Sequence, residues 1–520
     1  MTDMETPRQP ISTHVTGTPY LDAVEAELRQ VSPGLRGRVW ERTPGNALDT
    51  SQDDPASWIL QVPDCWGWTR DSLCPQGADK PGIKKLLAKL LANISRAERT
   101  VDITAWGPPN MWPAPAEPFP DGLFAETMCA GLRVAAKAAV TARRRLTVRI
   151  LTGVLSGDIT ASPWSFRDYL KRMIGDDFSA IDLNVASMTT RGAYSYNHTK
   201  LVVVDGVFVI HGGINWMTNY YIKDGSFGSR GFGDVAPVAD LDIALCGPAA
   251  CSAGKFLDEL WTWTSENAST TWQPNVKAWL ATNNDKLDEC KPKLHGTFVS
   301  PSLGNLQVIS VGSLGYGILD KDPISEYQPP SASNMDQAAC GYWMWGQKSN
   351  NQTNTDRDFM TVNPDANALR ALIGCARQKI VLSQQDINGF SQFPLYHALF
   401  DVRLLDILVT KMMASPPVKV RIVLSNPGYP DYSNISHINQ ARDALFARVR
   451  LRTRSDGEAL AVMNQSLQLA PLRLSDQPTW PNGSCWLIRS ARALAPVSPV
   501  IWGFTGHGFE SSCGDFPPCG

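Results

Sequence analysis

The spacing of apolar residues changes along the chain between the period of a helix and that of a buried strand. Residues 83–97 (IKKLLAKLLANISRA) have helical spacing, and residues 100–107 (TVDITAWG) form an apolar run typical of a buried strand. The same pattern predicts a helix over 124–145 and strands over 146–155, 181–188, 200–210 and 240–247. Before residue 80 it predicts one helix, over 19–31, and otherwise irregular structure. Strands that alternate with helices predict a layered α/β fold.

A weaker copy of this order follows a polar stretch around residues 314–356. Helices are predicted over 366–378, 398–413 and 436–449, and strands over 379–386, 418–427 and 467–475. The strand sequences correspond in order: TVDIT with KIVLS, VRILTG with VRIVLS, and LNVASM with LQLAPL. A repeat with a spacing of about 280 residues predicts an internal duplication. We therefore expect two similar α/β/α lobes with a site between them.

Composition limits the class of protein. Hydrophobic residues make up 43% of the 520 residues and charged residues 19%, values that exclude a mainly disordered chain. The formal net charge of −2 argues against a protein that coats nucleic acid. No apolar run reaches the roughly 18–20 residues of a transmembrane helix. Residues 1–17 lack the basic and apolar regions of a secretory signal.

The eleven cysteines suggest an oxidising compartment, although no secretory signal is visible in the sequence. Cys65 and Cys74 lie close together in a loop rich in Trp, Pro and Gly, and Cys290 and Cys340 lie in polar connecting sequence. Paired loop cysteines suggest an oxidising compartment, with disulfides Cys65–Cys74 and Cys290–Cys340. The alternative is that most of the cysteines are free, buried thiols, as their apolar contexts suggest for Cys129, Cys246 and Cys375.

One segment concentrates the residues that carry chemistry. It contains His198 and Lys200, then Asp205, then Gly212-Gly213 and Asn215. His198 and Lys200 are two residues apart at the start of a predicted strand, so their side chains share one face. The two glycines permit close backbone approach, and Asn215 adds a hydrogen-bond donor.

An imidazole beside an ammonium and an amide donor suits phosphoryl transfer, in which charge accumulates on phosphate oxygens. The alternative is a surface or core histidine on an ordinary edge strand. His-x-Lys by itself is weak evidence for a site, but the full string His-x-Lys-x4-Asp-x6-Gly-Gly-x-Asn constrains six positions. We therefore interpret His198 as a nucleophile.

This string resembles the HKD motif of the phospholipase D superfamily. Further segments, including LNVASMTT, GPAACSAGKFLDELW and TDRDFMTVNPDANALRALI, are similar to its secreted bacterial branch that cleaves phosphatidylcholine. The resemblance implies a two-lobed α/β fold, a phosphohistidine intermediate, and neither a catalytic metal nor another cofactor. It also implies an extracellular protein that meets phospholipid at a membrane surface. The near-neutral charge predicts that the chain binds no nucleic acid, and a duplicated chain has little need of a dimer, which predicts a monomer. Aromatic loops at 106–119, 216–232 and 388–396 would suit that surface, or else pack between the lobes.

The family pattern assigns roles to individual residues. By resemblance His198 attacks phosphorus, while Lys200 and Asn215 hold the phosphate oxygens. Asp240, in PVADLD, matches the carboxylate that orients the nucleophilic imidazole, with a solvated strand-start carboxylate as the alternative. Asp205 belongs to the catalytic motif, and within that motif we expect it to have a structural or supporting role.

Gly212 and Gly213 are assigned to substrate binding, through the close approach that they allow. The segments expected from this pattern are an irregular N-terminal extension (1–80), a first phospholipase D-like lobe (81–290), a second lobe (300–483) and a tail without family similarity (484–520).

The second lobe departs from the family, which carries one HKD motif in each lobe. Where the second motif belongs, Arg489 and Ala491 stand in place of His and Lys. The seven histidines are His14, His198, His211, His295, His397, His437 and His507. Of these only His198 has a lysine two residues on, and His507 also lacks the surrounding strand pattern.

Two explanations of this departure stay open. The chain past Gly483 is either mistranslated, from a frameshift or retained intron, or it is a genuine degenerate half-site. Loss of a general acid/base costs roughly 10²–10⁴ in rate. We therefore expect the chain as written to be a phosphodiesterase of very low activity. A nuclease, or a lipid-binding relative without turnover, is the alternative.

Overall fold

The computed structural model of the chain describes residues 19–62, 81–105, 123–153, 162–189, 197–216, 240–273, 276–314, 318, 364–384, 387–389, 399–400, 402–424, 435–471 and 500–505. Up to residue 313 the strands are β1 (Trp40–Leu48), β2 (Ile59–Val62), β3 (Thr100–Ala105), β4 (Leu146–Gly153), β5 (Ile181–Met188), β6 (Leu201–Val204), β7 (Phe208–Gly212), β8 (Asp240–Cys246), β9 (Ala268–Ser269), β10 (Ala278–Thr282) and β11 (Leu306–Ser313). The later strands are β12 (Lys379–Ser383), β13 (Asn388–Gly389), β14 (Leu399–Phe400), β15 (Lys419–Leu424), β16 (Leu467–Pro471) and β17 (Val500–Thr505). The helices are α1 (Pro19–Val31), α2 (Pro81–Ser95), α3 (Leu123–Thr141), α4 (Pro163–Ile174), α5 (Pro248–Asn267), α6 (Pro364–Gly374), α7 (Val402–Met412), α8 (Ile435–Arg450) and α9 (Asp456–Ser466).

A large mixed sheet organises the first part of the chain. Its strand order is β17-β11-β1-β8-β7-β6-β3-β4-β5-β10-β9, and β2 pairs with β8 beside this path. The segment β3-β4-β5 is parallel, and β6 joins it antiparallel to β3. β4 is buried at every position, because apolar clusters with α2–α4 and with α1 and α5 cover both faces. The α/β fold class expected from the periodicity is confirmed.

A second, smaller sheet lies in the later part of the chain. It is parallel with the order β12-β15-β16, and a separate apolar cluster packs it against α7–α9. These are the strands whose sequences correspond to β3, β4 and β5, and they occupy the same positions in the same order. That order is what a duplication would produce, and the duplication itself stays a prediction.

The prediction that the chain before residue 80 is irregular, apart from a helix over 19–31, is wrong for β1 and β2. β1 pairs with β11 and β8 inside the large sheet, and its register shifts between Thr43 and Asn46. The bulge at Pro44-Gly45 replaces two-residue alternation by burial of Trp40, Thr43 and Asn46, three residues apart. A strand with that spacing gives no strand signal in the sequence.

The single strand predicted over 200–210 is a hairpin. β6 and β7 pair antiparallel around Asp205-Gly206, and both turn residues have positive φ, 55° and 67°. Asp-Gly with two positive φ values is the preferred two-residue turn between antiparallel strands. Because the residues on both sides of the turn are apolar, the sequence pattern predicted one continuous strand and not two.

A further strand lies in the tail, where no strand pattern was expected. β17 pairs in parallel with β11 and ends at Thr505, two residues before His507. The pairing places residues 500–505 beside β11 in the large sheet, while the division into lobes and tail stays a prediction.

A network of buried charges joins the sheet to its covering helix. Arg149 on β4 contacts Asp102 on β3 and Asp258 on α5, and all three side chains are at most 7% exposed. His295 lies 2.6 Å from Asp102 through Nε2, and its backbone N–H donates to Asp258. The pKa of Asp102 is lowered: burial raises it, but Arg149 and His295 outweigh burial. The network pins the segment after β10 beneath the sheet.

The described cysteines are free thiols. Cys290 is one of them, and its predicted partner Cys340 is not among the described residues, so the Cys290–Cys340 disulfide stays a prediction. Burial raises the pKa of the Cys290 thiol to about 11, because the side chain packs against an apolar cluster. Cys65, Cys74 and Cys340 lie outside the described residues. None of the described helices is long and apolar enough to cross a membrane.

Candidate functional site

The start of β6 carries the pair His198 and Lys200. Nζ of Lys200 lies 2.6 Å from Nδ1 and 3.0 Å from Nε2 of His198, and it donates to the His198 carbonyl oxygen at 2.8 Å. Lys200 is buried and His198 is half-buried. The imidazole and the ammonium therefore lie together in direct contact, as expected from their spacing.

Asn197 fixes the position of this pair. Its side-chain N–H groups donate to the carbonyl oxygens of Ala105 on β3 and Leu151 on β4, each at 3.2 Å. Its carbonyl oxygen accepts from the backbone N–H of Thr199 at 3.2 Å. The pair thus lies where β3 and β4 end, at the edge of parallel strands where ligand sites of α/β proteins form. No role was predicted for Asn197, although it directly precedes His198 in the sequence.

Asp205 lies at the far end of β6. Six residues lie between it and His198, and an extended chain of that length spans roughly 20 Å. Its carboxylate accepts from the backbone N–H groups of Glu98, Arg99 and Thr100 at 2.7–2.8 Å. This places Asp205 away from His198, in the structural role that we expected, and gives no support to its catalytic assignment.

The role of Asp205 can be tested by a matched pair of alanine variants. Asp205→Ala is expected to lower the free energy of unfolding by about 3 kcal/mol more than Asp285→Ala, because it leaves three backbone donors without an acceptor. Asp285 has the same positive φ, 56°, but is exposed, so backbone strain cancels in the comparison. Urea unfolding measures both. Equal losses would show that the three hydrogen bonds contribute nothing.

The two motif glycines serve packing against β8. A Cβ on Gly212 would lie 2.1 Å from Oδ1 of Asp242 and 2.2 Å from the carbonyl oxygen of Leu241. Gly213 donates its backbone N–H to the same Leu241 oxygen at 3.3 Å. The close approach expected of Gly212 is present, but its partner is Asp242. Substrate binding by these glycines stays a prediction.

Two buried carboxylates face the same side of β8. Asp240 is 4% exposed at the start of the strand, opposite Val62 of β2, so the solvated alternative for Asp240 is wrong. Asp242, also 4% exposed, pairs with Gly212 and accepts from the backbone N–H of Ile214 at 2.9 Å. The site therefore contains one carboxylate more than the sequence analysis identified. The spacing of Asp-Leu-Asp on a strand was the signal that could have found it.

The comparisons with known proteins identify the family. The chain matches no family model. A phospholipase D from Streptomyces antibioticus is 40% identical to it over 478 residues, which make up 90% of this chain and 78% of that protein. The chain belongs to the phospholipase D family.

Two solved structures show a weaker similarity to this phospholipase D family member. NucT from Helicobacter pylori covers 33% of the chain and 85% of its own length, with 15% identity and a TM-score of 0.22. Phosphatidylserine synthase from Haemophilus influenzae covers 87% of the chain and 77% of its own length, with 10% identity and a TM-score of 0.36. The family assignment rests on the Streptomyces relative.

Other groups near the site of this phospholipase D family member have structural partners. His211 lies 3.0 Å from the carbonyl oxygen of Lys200 through Nδ1. Trp216 is buried and stacks on Phe124 with ring centroids 6.1 Å apart, so it packs inside the protein. The other aromatic residues of the three predicted lipid-facing loops lie outside the described residues. Among the described residues, no three His, Cys, Asp or Glu side chains come together as metal ligands.

Proposed function

We propose that the chain is a phospholipase D-type phosphodiesterase that cleaves phosphatidylcholine to phosphatidate and choline, with transfer to other alcohols as a second outcome. The observation that carries this proposal is the contact between His198 and Lys200. A lysine ammonium can only donate, so the ring nitrogen that accepts from it carries no proton. An unprotonated imidazole is the form that attacks phosphorus.

The reaction would proceed through the imidazole. A ring nitrogen of His198 forms a bond to phosphorus while the bond from phosphorus to the choline oxygen breaks. Lys200 and Asn215 would hold the phosphate oxygens, where negative charge is concentrated. Asp240 would orient the ring, as the acid of a catalytic triad does. No step in this half of the reaction calls for a metal ion or another cofactor.

The second half-site would protonate the departing choline and then activate water. Here the expected His and Lys positions hold Arg489 and Ala491. Choline is a poor leaving group without a proton donor, so we propose slow turnover, lower by roughly 10²–10⁴ than with both motifs present.

Choline release from phosphatidylcholine vesicles tests the proposal. We expect slow release that disappears in His198→Asn. Turnover as fast as that of an enzyme with two intact motifs would contradict the low activity, and release unaffected by His198→Asn would contradict the mechanism. DNA degradation that depends on His198 would favour the nuclease, and vesicle binding without any choline release would favour a non-catalytic relative.

We also propose an extracellular monomer that acts on phospholipid at a membrane surface and binds no nucleic acid. The support is the family membership and the net charge of −2. Detection of the protein in the medium of the producing cells would test the location, and size-exclusion chromatography would test the oligomeric state.

A further inference from the structure

Lys200 and Asp242 lie in one row across the sheet, with a glycine between them. β6 and β7 pair Leu201 with His211, so Lys200 stands opposite Gly212, one residue beyond the last pair. β7 and β8 pair Gly212 with Asp242. Residues directly opposite in antiparallel strands have side chains on the same face. Their Cα atoms are two strand spacings apart, about 10 Å, with no side chain between them.

The carboxylate of Asp242 occupies the space that Gly212 leaves. Its Oδ1 lies where a Cβ on Gly212 would be, and it accepts from Ile214, the residue before Asn215. A side chain larger than hydrogen at position 212 would displace it. Gly212 therefore lets a buried carboxylate reach both the row of Lys200 and the main chain that leads to Asn215.

The electrostatic surroundings of Asp242 tie it to Lys200. Burial raises the pKa of Asp242 to about 7, although the Ile214 N–H and the charge of Lys200 both lower it. β2 places the apolar Leu60 opposite Asp242. Among the described residues, the titratable groups on the strands beside it are Lys200 and His198, which precede β6, Asp240 on β8, and His211 on β7, which contacts the Lys200 carbonyl. Of these, Lys200 is the cation that stabilises the ionised carboxylate.

We propose that Asp242 is a proton-linked positioning residue of the phosphate pocket. In the empty pocket its carboxylate balances the charge of Lys200 and holds the main chain before Asn215. When a phosphate anion binds Lys200, the carboxylate takes up one proton from solvent. The inference rests on the proposed role of Lys200 and Asn215 as phosphate ligands.

The reason for proton uptake is charge balance in a buried place. A bound anion neutralises the cation that stabilised the carboxylate, so ionisation of Asp242 becomes less favourable and its pKa rises further. Binding of the anion and binding of the proton therefore favour each other. Anion affinity must fall as the pH rises above about 7, since the empty pocket then has to acquire a proton.

Sulfate is a suitable probe, because its charge is constant between pH 6 and pH 8. Binding is measured by calorimetry in His198→Gln, so that protonation of the imidazole beside Lys200 cannot contribute to the pH dependence. We expect the affinity of His198→Gln to fall about five- to tenfold from pH 6 to pH 8. The double variant His198→Gln/Asp242→Asn is expected to show no such fall, since Asn keeps the acceptor for Ile214 but binds no proton.

A matched control is His198→Gln/Asp182→Asn. Asp182 lies on β5 of the same sheet, paired with Arg145 and Lys291, and its replacement is expected to leave the five- to tenfold fall in affinity unchanged. Repeating the titrations in two buffers with different ionisation enthalpies gives the number of protons taken up. With Asp242 that number is expected to rise from about one half at pH 7 to nearly one at pH 8, and without Asp242 it is expected to stay near zero. Thermal unfolding verifies that each variant is folded.

Failure of this inference is distinguishable from failure of the proposed function. If sulfate binding is lost in Lys200→Met but has the same pH dependence with and without Asp242, the role of Asp242 is refuted while the phosphate pocket stands. If Lys200→Met binds sulfate as tightly as before, or if no variant binds it, the phosphate pocket is wrong and the role of Asp242 falls with it.

Discussion

Phosphatidyl-p-nitrophenol is expected to give a burst of roughly one p-nitrophenol per chain, followed by much slower release. p-Nitrophenolate is a far weaker base than the alkoxide of choline, so it leaves without a proton donor. The first step then needs only the half-site around His198, which the chain contains. The second step needs a base to activate water, and the sequence offers no second His-x-Lys for it.

The same reasoning predicts a strong dependence on the leaving group. Choline release is expected to be roughly 10²–10⁴ slower than the burst, the usual contribution of a general acid. Stopped-flow absorbance measures the burst, and mass spectrometry of the acid-quenched protein locates the phosphatidyl adduct on His198. His198→Asn is expected to remove both.

Two outcomes would contradict this account. Rapid steady release of p-nitrophenol without a burst would show that the chain activates water efficiently, and a second base would have to be sought. An adduct on any other residue would refute the role of His198. The variant Arg145→Met, which changes an exposed ion pair on the sheet, is the control and should leave the burst unchanged.

Arg149→Met is expected to destabilise the protein by about 3–5 kcal/mol, the cost of breaking a buried ion pair from one side. The substitution leaves the carboxylates of Asp102 and Asp258 buried without their cation. It also removes the donors to the carbonyl oxygens of Lys291 and Pro292. Urea unfolding, monitored by tryptophan fluorescence, measures the change.

Arg145→Met is the matched control for this prediction, because Arg145 stands four residues earlier in the chain. Its side chain is 54% exposed and pairs with Asp182, so its loss is expected to cost no more than about 1 kcal/mol. Equal losses for the two variants would show that burial of the network around Arg149 does not determine its contribution. An Arg149→Met variant as stable as the unchanged chain would refute the prediction outright.

Much of the fold follows from periodicity. β3, β4 and β5 and helices α2 and α3 match the predicted elements to within a few residues, because each is a long apolar run or a clear amphipathic stripe. β1 and the β6–β7 turn were missed for the opposite reason. A bulge erased the alternation in β1, and an apolar run spans the turn at Asp205-Gly206. Local pattern cannot reveal a strand whose spacing is set by its partners.

Some residues of the candidate site could likewise be predicted from the sequence, and others could not. His198 and Lys200 could be identified from their spacing, since residues two apart on a strand share a face whatever the rest of the fold does. Asp242 could not be predicted as a site residue together with Asp240, because only the pairing of β8 with β7 places it next to Gly212. The hydrogen-bond partners of the Asp205 carboxylate likewise could not be predicted, because they depend on the position of residues 98–100, whose backbone N–H groups donate to it.

The sequence by itself determined the α/β class and the family, and it predicted the nucleophile and the loss of the second motif, because these depend on residue identity and on short spacings. The tertiary structure alone decided that the Asp205 carboxylate accepts from three backbone N–H groups, that Gly212 makes room for a carboxylate, and that Asp242 lies in one row with Lys200. Those roles arise from contacts between strands distant in the chain. Sheet register, which no short segment encodes, brings them together.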